Sequence, residues 1–170
     1  MEPIPHRDRI ISTRWSEAAD AETLAAIHAS GWRYAYAGVI PEPGLSRMIS
    51  RRGPGWWRRL HATGGRALVI SLGAELVGYA LVGRCRSGPG GEIQEIYIRP
   101  DCQGLGFGSR LFAGARAELR ARGVAPLTVW CLAANGIGTA FYRALGGRVT
   151  DRARDRVAGA DLEKLRFTWA

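Results

Sequence analysis

Between Arg99 and Ser109 the chain reads Arg-Pro-Asp-Cys-Gln-Gly-Leu-Gly-Phe-Gly-Ser, with Gly104, Gly106 and Gly108 at alternate positions. Glycines spaced this way let backbone N–H groups approach a ligand with no Cβ in the way. A helix opening directly after them adds unpaired N–H donors and partial positive charge. The chemistry this suits is the holding of a pyrophosphate. A plain strand-to-helix turn would need one glycine, not three. A P-loop requires Gly-x4-Gly-Lys-Ser/Thr, and the only lysine, Lys164, follows Glu163, so that motif is excluded. The dinucleotide fingerprint Gly-x-Gly-x-x-Gly fails too, because its sixth residue is Ser109 when counted from Gly104 and Leu111 when counted from Gly106. Just upstream, Glu92 and Glu95 are carboxylates on an apolar strand. Partial burial there would raise their proton affinity toward that of a base working near neutrality.

These residues need elements to hold them. Residues 9–15 read as a strand. Asp20 caps an amphipathic helix that carries Leu24, Ile27 and His28 on one face and runs into Trp32 and Tyr36, stopping before Gly38 and Pro41. Residues 44–52 and 55–61 read as short helices separated by Gly53-Pro54. Strands 66–72 and 75–84 form a hairpin at Gly73-Ala74, and 91–98 is a further strand. After the glycine turn, Leu111, Ala115 and Leu119 recur at i, i+4 and i+8 in a helix that runs to Arg122 and is closed by Gly123. A strand at 127–132, a helix at 136–145 and strands near 147–154 and 161–169 complete the order. The class is α/β, one domain over 1–170, with a mixed sheet that is antiparallel first and has a parallel crossover later. On a regular strand Glu92, Gln94, Ile96 and Ile98 share one face, and Glu95 lies on the other with Ile93 and Tyr97. A β-bulge would upset that parity.

The 170 residues include 24 Lys and Arg against 15 Asp and Glu, a net charge of +9. That surplus suits an anionic partner. Yet the arginines are scattered, with no run beyond Arg51-Arg52 or Arg58-Arg59, so no nucleic-acid stripe is present and no nucleic-acid partner is expected. Cys85, Cys102 and Cys131 form no Cys-x-x-Cys pair, so no metal site is expected. With His6, Arg7, Asp8 and Arg9 where a secretory signal would need an apolar core, they point to reduced thiols in a cytoplasm. The uncharged stretch Gly123–Tyr142 is interrupted by Pro126, Asn135, Gly136 and Gly138 and reads as a strand and helix, not a membrane span.

Gln103, Gly106 and Gly108 match Gln/Arg-x-x-Gly-x-Gly/Ala. With Glu92-Ile-Gln-Glu-Ile-Tyr-Ile-Arg-Pro before the turn and Leu111-Phe112 after it, the chain resembles the GCN5-related N-acetyltransferase (GNAT) family. Asn135 and Ala140-Phe-Tyr-Arg-Ala-Leu-Gly-Gly147 resemble that family's second signature. Trp32, Tyr36, Gly38 and Pro41 look like the start of many bacterial members. The resemblance covers nearly the whole chain. One departure is Gly147, where the family usually has an aromatic.

The resemblance implies the acyl-CoA N-acyltransferase fold, a central twisted mixed sheet of about six to seven strands flanked by helices. It implies acetyl-coenzyme A as cosubstrate, a primary amine as acceptor and direct transfer in a ternary complex, not an acetyl-cysteine on Cys102 or Cys131. It places the cofactor along Ile96, Tyr97 and Ile98, over Gln103, Gly104, Leu105, Gly106, Phe107, Gly108 and Ser109, and beside Asn135 and Tyr142. Asn135 also reads as a helix N-cap. Tyr142 is the implied general acid toward the thiolate, and Glu92 then Glu95 are the candidate bases. Trp32 and Tyr36 would wall the acceptor pocket, as would Trp56 and Trp57, whereas His28 and His61 read as packing or surface residues. A homodimer is a family expectation. The alternative is an acyl-CoA-binding regulator on the same fold with no turnover.

Overall fold

Apolar spacing at i, i+3, i+4 and i+7 makes the first long helix bury one face, and Leu24, Ile27, His28 and Gly31 of α1 (Ala21–Tyr36) are all buried. The computed structural model describes residues 10–170. His6 to Arg9, where a secretory signal would need an apolar core, and with them the Arg9 end of the first expected strand, lie outside the described residues. The elements follow as β1 (Ile11–Trp15), α1, α2 (Gly44–Ser50), α3 (Pro54–Ala62), β2 (Leu68–Leu72), β3 (Glu75–Arg84) and β4 (Gly91–Ile98). Then come α4 (Phe107–Ala121), β5 (Leu127–Leu132), α5 (Gly136–Ala144), β6 (Arg148–Val157) and β7 (Ala160–Trp169). Short 3-10 turns precede α1 and α4. Gly123–Tyr142 divides into β5 and α5 as expected, and no described helix is long and apolar enough to cross a membrane.

Two local expectations are corrected. Asp20 holds the N-cap position of α1, but its side chain makes no capping bond there. Its carboxylate points back, accepting from Glu17 N–H at 2.7 Å and from both terminal nitrogens of Arg14 at 2.8 and 2.9 Å. Pro54 is not a separator but the first residue of α3, where a missing N–H costs nothing.

The sheet has seven strands in the order β1-β2-β3-β4-β5-β7-β6. Every pairing is antiparallel except β4 with β5. On one face, Leu111, Phe112, Ala115 and Leu119 of α4 pack on Ile70, Ile93, Val129 and Phe167. On the other, α1 and α3 bring Leu24, Ile27 and Trp57 onto Val69, Tyr79 and Leu81. Trp57 has no exposed surface, and its ring lies 4.9 Å from that of Tyr79. Trp57→Ala is expected to cost about 3–5 kcal/mol, read as a lower urea midpoint at unchanged m-value.

The basic surplus is partly spent in the last hairpin, where Arg152–Glu163, Arg154–Asp161, Lys164–Asp155 and Arg166–Asp151 pair across β6 and β7. Charges on the edge strand β6 oppose pairing with another sheet edge. The departure at Gly147 has a packing reason. A Cβ there would lie 2.5 Å from the Trp169 indole, whose N–H donates to Leu145 O at 2.9 Å. Trp169 fills the space that a side chain at 147 would take.

Candidate functional site

The site begins where the sheet fails to close. β4 and β5 pair only through Gly91–Leu127 and Glu92–Thr128. Two residues beyond the last of these pairs β4 carries a bulge. Leu81 of β3 pairs with Glu95 and Val82 with Ile93, leaving Gln94 as the extra residue. Bulges bend a strand and steepen its twist, and past this one β4 makes no further pair with β5. The β5-facing backbone edge of residues 94–97 therefore has no strand partner.

The bulge also reverses the expected parity. Ile93 does not share a face with Glu95 and Tyr97. It packs under α4 with Ile96 and Ile98, whereas Tyr97 joins the α1–α3 side. Glu92 sits at the closed end of the wedge beside Thr128 and Gly83 and does not line the cavity, whereas Glu95 does.

The opening is a cavity of about 410 Å³. Gly104, Gly106 and Gly108 line one end with Gln103 and Ser109; Glu95, Tyr97 and Tyr36 line the other; Asn135, Cys131 and Tyr142 lie along it. Gly104 and Gly106 have φ of +76° and +84°, and nothing stands within 4 Å of where their Cβ atoms would be. The turn thus needs glycine for its backbone, and it borders open space. Gly106 is the N-cap of α4 and supplies no side-chain cap, so the first-turn N–H groups remain free for an anion. Leu105 and Phe107 do not line the cavity. Leu105 is exposed, and Phe107 is buried in the core beneath the turn.

At the other end Glu95 is held on both oxygens. Arg52 Nη2 lies 2.9 Å from Oε1, and the Tyr79 hydroxyl donates to Oε2 at 2.9 Å. Burial pushes the Glu95 carboxyl above the ordinary carboxylate range, against the pull of Arg52 and Tyr79. His28, fully buried, places Nδ1 3.0 Å from the Tyr79 hydroxyl. Tyr79 has one proton and gives it to Glu95, so His28 Nδ1 carries a proton and donates to Tyr79. Burial and nearby Arg52 hold His28 down to about 4, so it is neutral at pH 7.

Tyr142 is buried, and burial pushes its hydroxyl well above 10. Burial likewise raises the Cys131 thiol to about 12 and also raises Tyr36. Asn135 serves as the N-cap of α5, its Oδ1 accepting from Gly138 N–H at 2.9 Å, and it lines the cavity as well. Trp32 does not line the cavity but backs Tyr36, ring to ring at 4.9 Å. Trp56 lies under the Arg52 guanidinium at 4.0 Å, and Trp57 is core. His61 is a packing residue bonded to Ser16 and Trp57 O.

Arg52, Tyr79 and Trp130 were not singled out from the sequence. Tyr79 reads in sequence only as a strand tyrosine, since its place opposite Tyr97 is set by strand register. Arg52 had no signal among so many arginines.

A family model described as the acetyltransferase (GNAT) family matches residues 30–146. A comparison with curated proteins returns no match. Among solved structures, a GCN5-related N-acetyltransferase from Rhodopseudomonas palustris is 24% identical, with TM-score 0.75 over 92% of this chain and 93% of that one. The PaiA N-acetyltransferase of Thermoplasma acidophilum, in complex with coenzyme A, is 18% identical with TM-score 0.75 over 94% and 99%. The putative acetyltransferase YncA of Salmonella typhimurium, with its cofactor acetyl-CoA, is 20% identical with TM-score 0.68 over 94% and 92%. At these identities the structures establish the fold.

Proposed function

The chain belongs to the acetyltransferase (GNAT) family, and from that premise we propose that it moves an acetyl group from acetyl-coenzyme A directly to a primary amine held beside Glu95. The observation that carries the reading is the continuity of the cavity. It joins the free amides of the glycine turn to the one carboxylate on its wall, Glu95, past the unpaired edge of β4. Two of the similar structures hold coenzyme A or acetyl-CoA.

The pyrophosphate takes the N–H groups at Gly104–Ser109. The pantetheine arm lies along residues 96–98, using backbone groups that β5 leaves free, with Asn135 beside it. A backbone N–H of β4 stabilises the carbonyl oxygen as it becomes anionic. The amine gives its proton toward Glu95, directly or through water. Its nitrogen bonds to the carbonyl carbon, the C–S bond breaks, and the thiolate takes the Tyr142 proton. A hydroxyl held well above 10 is protonated at neutral pH and so is available as an acid. A Cys131 thiol at about 12 is a poor nucleophile, which favours direct transfer over an acetyl-cysteine.

Free-thiol release with an amine panel tests the activity. Tyr142→Phe is expected to lower kcat by roughly 10²–10³ while the thermal shift given by acetyl-CoA is kept. Wild-type kcat in that variant would remove Tyr142 from the mechanism. Coenzyme binding with no turnover on any amine would favour a non-catalytic acyl-CoA binder.

A further inference from the structure

Among the described residues, Glu95 is the only Asp, Glu, Lys or Arg on the cavity wall, although the chain carries 24 Lys and Arg. Three cations stand behind that wall and none is on it. Arg52 pairs with Glu95, Arg166 with Asp151 at 2.6 Å and Lys164 with Asp155 at 2.6 Å. The N–H groups of Arg52 Nη1 have no partner, but that nitrogen is buried. A carboxylate on the acceptor would therefore meet no cation, and Glu95 would be its charged neighbour. Burying a charge without a partner is costly, and a like charge nearby adds to the cost.

What the wall offers beside Glu95 is aromatic. Tyr34 and Tyr36 come from α1, Tyr97 from β4 two residues beyond Glu95, and Trp130 from β5 across the open wedge. Gly31 lets α1 come this near, since a Cβ there would lie 2.7 Å from the Tyr97 ring. Burial pushes the Tyr36 and Tyr97 hydroxyls above 10, so both are neutral at pH 7. The apolar character continues to the mouth. Of the four large apolar side chains exposed among the described residues, Tyr34 and Ile137 line this cavity and Leu105 belongs to its glycine turn. Exposed apolar side chains gathered at one opening mark a place where apolar matter binds.

Resting on the acetyltransfer reading above, we propose that the acceptor is a primary amine with an apolar aryl or alkyl body and no acidic group, its nitrogen at Glu95 and its body against Tyr34 and Trp130. Aromatic side chains suit both parts of such a molecule. They attract the ammonium before it gives up its proton, and they bury its hydrocarbon. Glu95 is the single counter-charge on the wall, so a second ammonium finds no carboxylate of its own. Tyr34 is about half exposed, so its ring is open to a ligand.

The test uses matched pairs. Phenethylamine is compared with L-phenylalanine and isopentylamine with L-leucine, each pair differing by one carboxylate. Pentylamine is compared with cadaverine, which adds a second ammonium. Thiol release gives kcat/KM, and melting temperature is read with and without acetyl-CoA. At least one of the first two amines is expected to exceed its amino acid by about tenfold or more in kcat/KM, as an unpaired buried charge requires. Pentylamine is expected to exceed cadaverine. Tyr34→Ala raises KM for phenethylamine about 2- to 10-fold, the worth of one aromatic contact, and keeps the acetyl-CoA shift in melting temperature. Amino acids or cadaverine used as well as the apolar amines overturn the proposal, as does an unchanged KM in Tyr34→Ala. So does a panel in which acetyl-CoA raises the melting temperature but no amine is turned over. If acetyl-CoA gives the wild type no shift, the acetyltransfer reading itself fails and the acceptor assignment falls with it.

Discussion

Glu95→Gln lowers kcat by about 10²–10³, within the range for loss of a positioned base, while Glu92→Gln leaves it within about threefold. The contrast follows from the bulge at Gln94. Glu95 faces the cavity and Glu92 is at the closed end of the wedge. The pH profile makes the test sharper. Burial raises the Glu95 carboxyl above its ordinary range, and only the ionised form accepts a proton. The wild-type rate therefore climbs as pH rises through that raised value, and the glutamine variant loses this limb. Glutamine keeps the side-chain length and an oxygen for the Tyr79 hydroxyl. Arg52 loses its counter-charge but is about 30% exposed, so solvent covers part of the cost. Equal kcat and an unchanged profile in Glu95→Gln would leave the amine to lose its proton to bulk water.

Gly106→Val abolishes the response to acetyl-CoA. With ligand at 100 times Kd, linkage predicts about 2.7 kcal/mol of stabilisation for the wild type. For a chain of this size that is roughly 5–10 °C in melting temperature. Gly106 has φ of +84°, a conformation that costs a β-branched residue about 1–3 kcal/mol. Its Cβ would also project into the open space the anion needs, since no protein atom lies within 4 Å. The two effects separate experimentally. Strain lowers the melting temperature of the free protein by a few degrees, whereas the blocked cradle removes the ligand-dependent shift. A valine variant that still gains the full shift would move the pyrophosphate away from this turn.

Most of what depends on neighbours along the chain was legible beforehand. The glycine turn, the stripes of α1 and α4, the hairpin at Gly73 and the cap at Asn135 are written in spacings of a few residues, because helix and strand periodicities and turn chemistry act at that range. The order of elements then restricts the sheet to few topologies, and the quoted motifs suffice for the family. The bulge was not legible, because it is defined by the pairing of two strands. One unpaired residue at Gln94 moved Ile93 to the other face and exchanged Glu92 for Glu95 on the cavity wall. Nor was the cluster of His28, Arg52, Tyr79 and Glu95, which come from α1, the turn after α2, β3 and β4. In sequence they are an ordinary helix histidine, one arginine among many, a strand tyrosine and a strand acid. Their proton affinities and partners arise only when packing removes water and sets them within 3 Å or so of one another, and that is a property of tertiary structure.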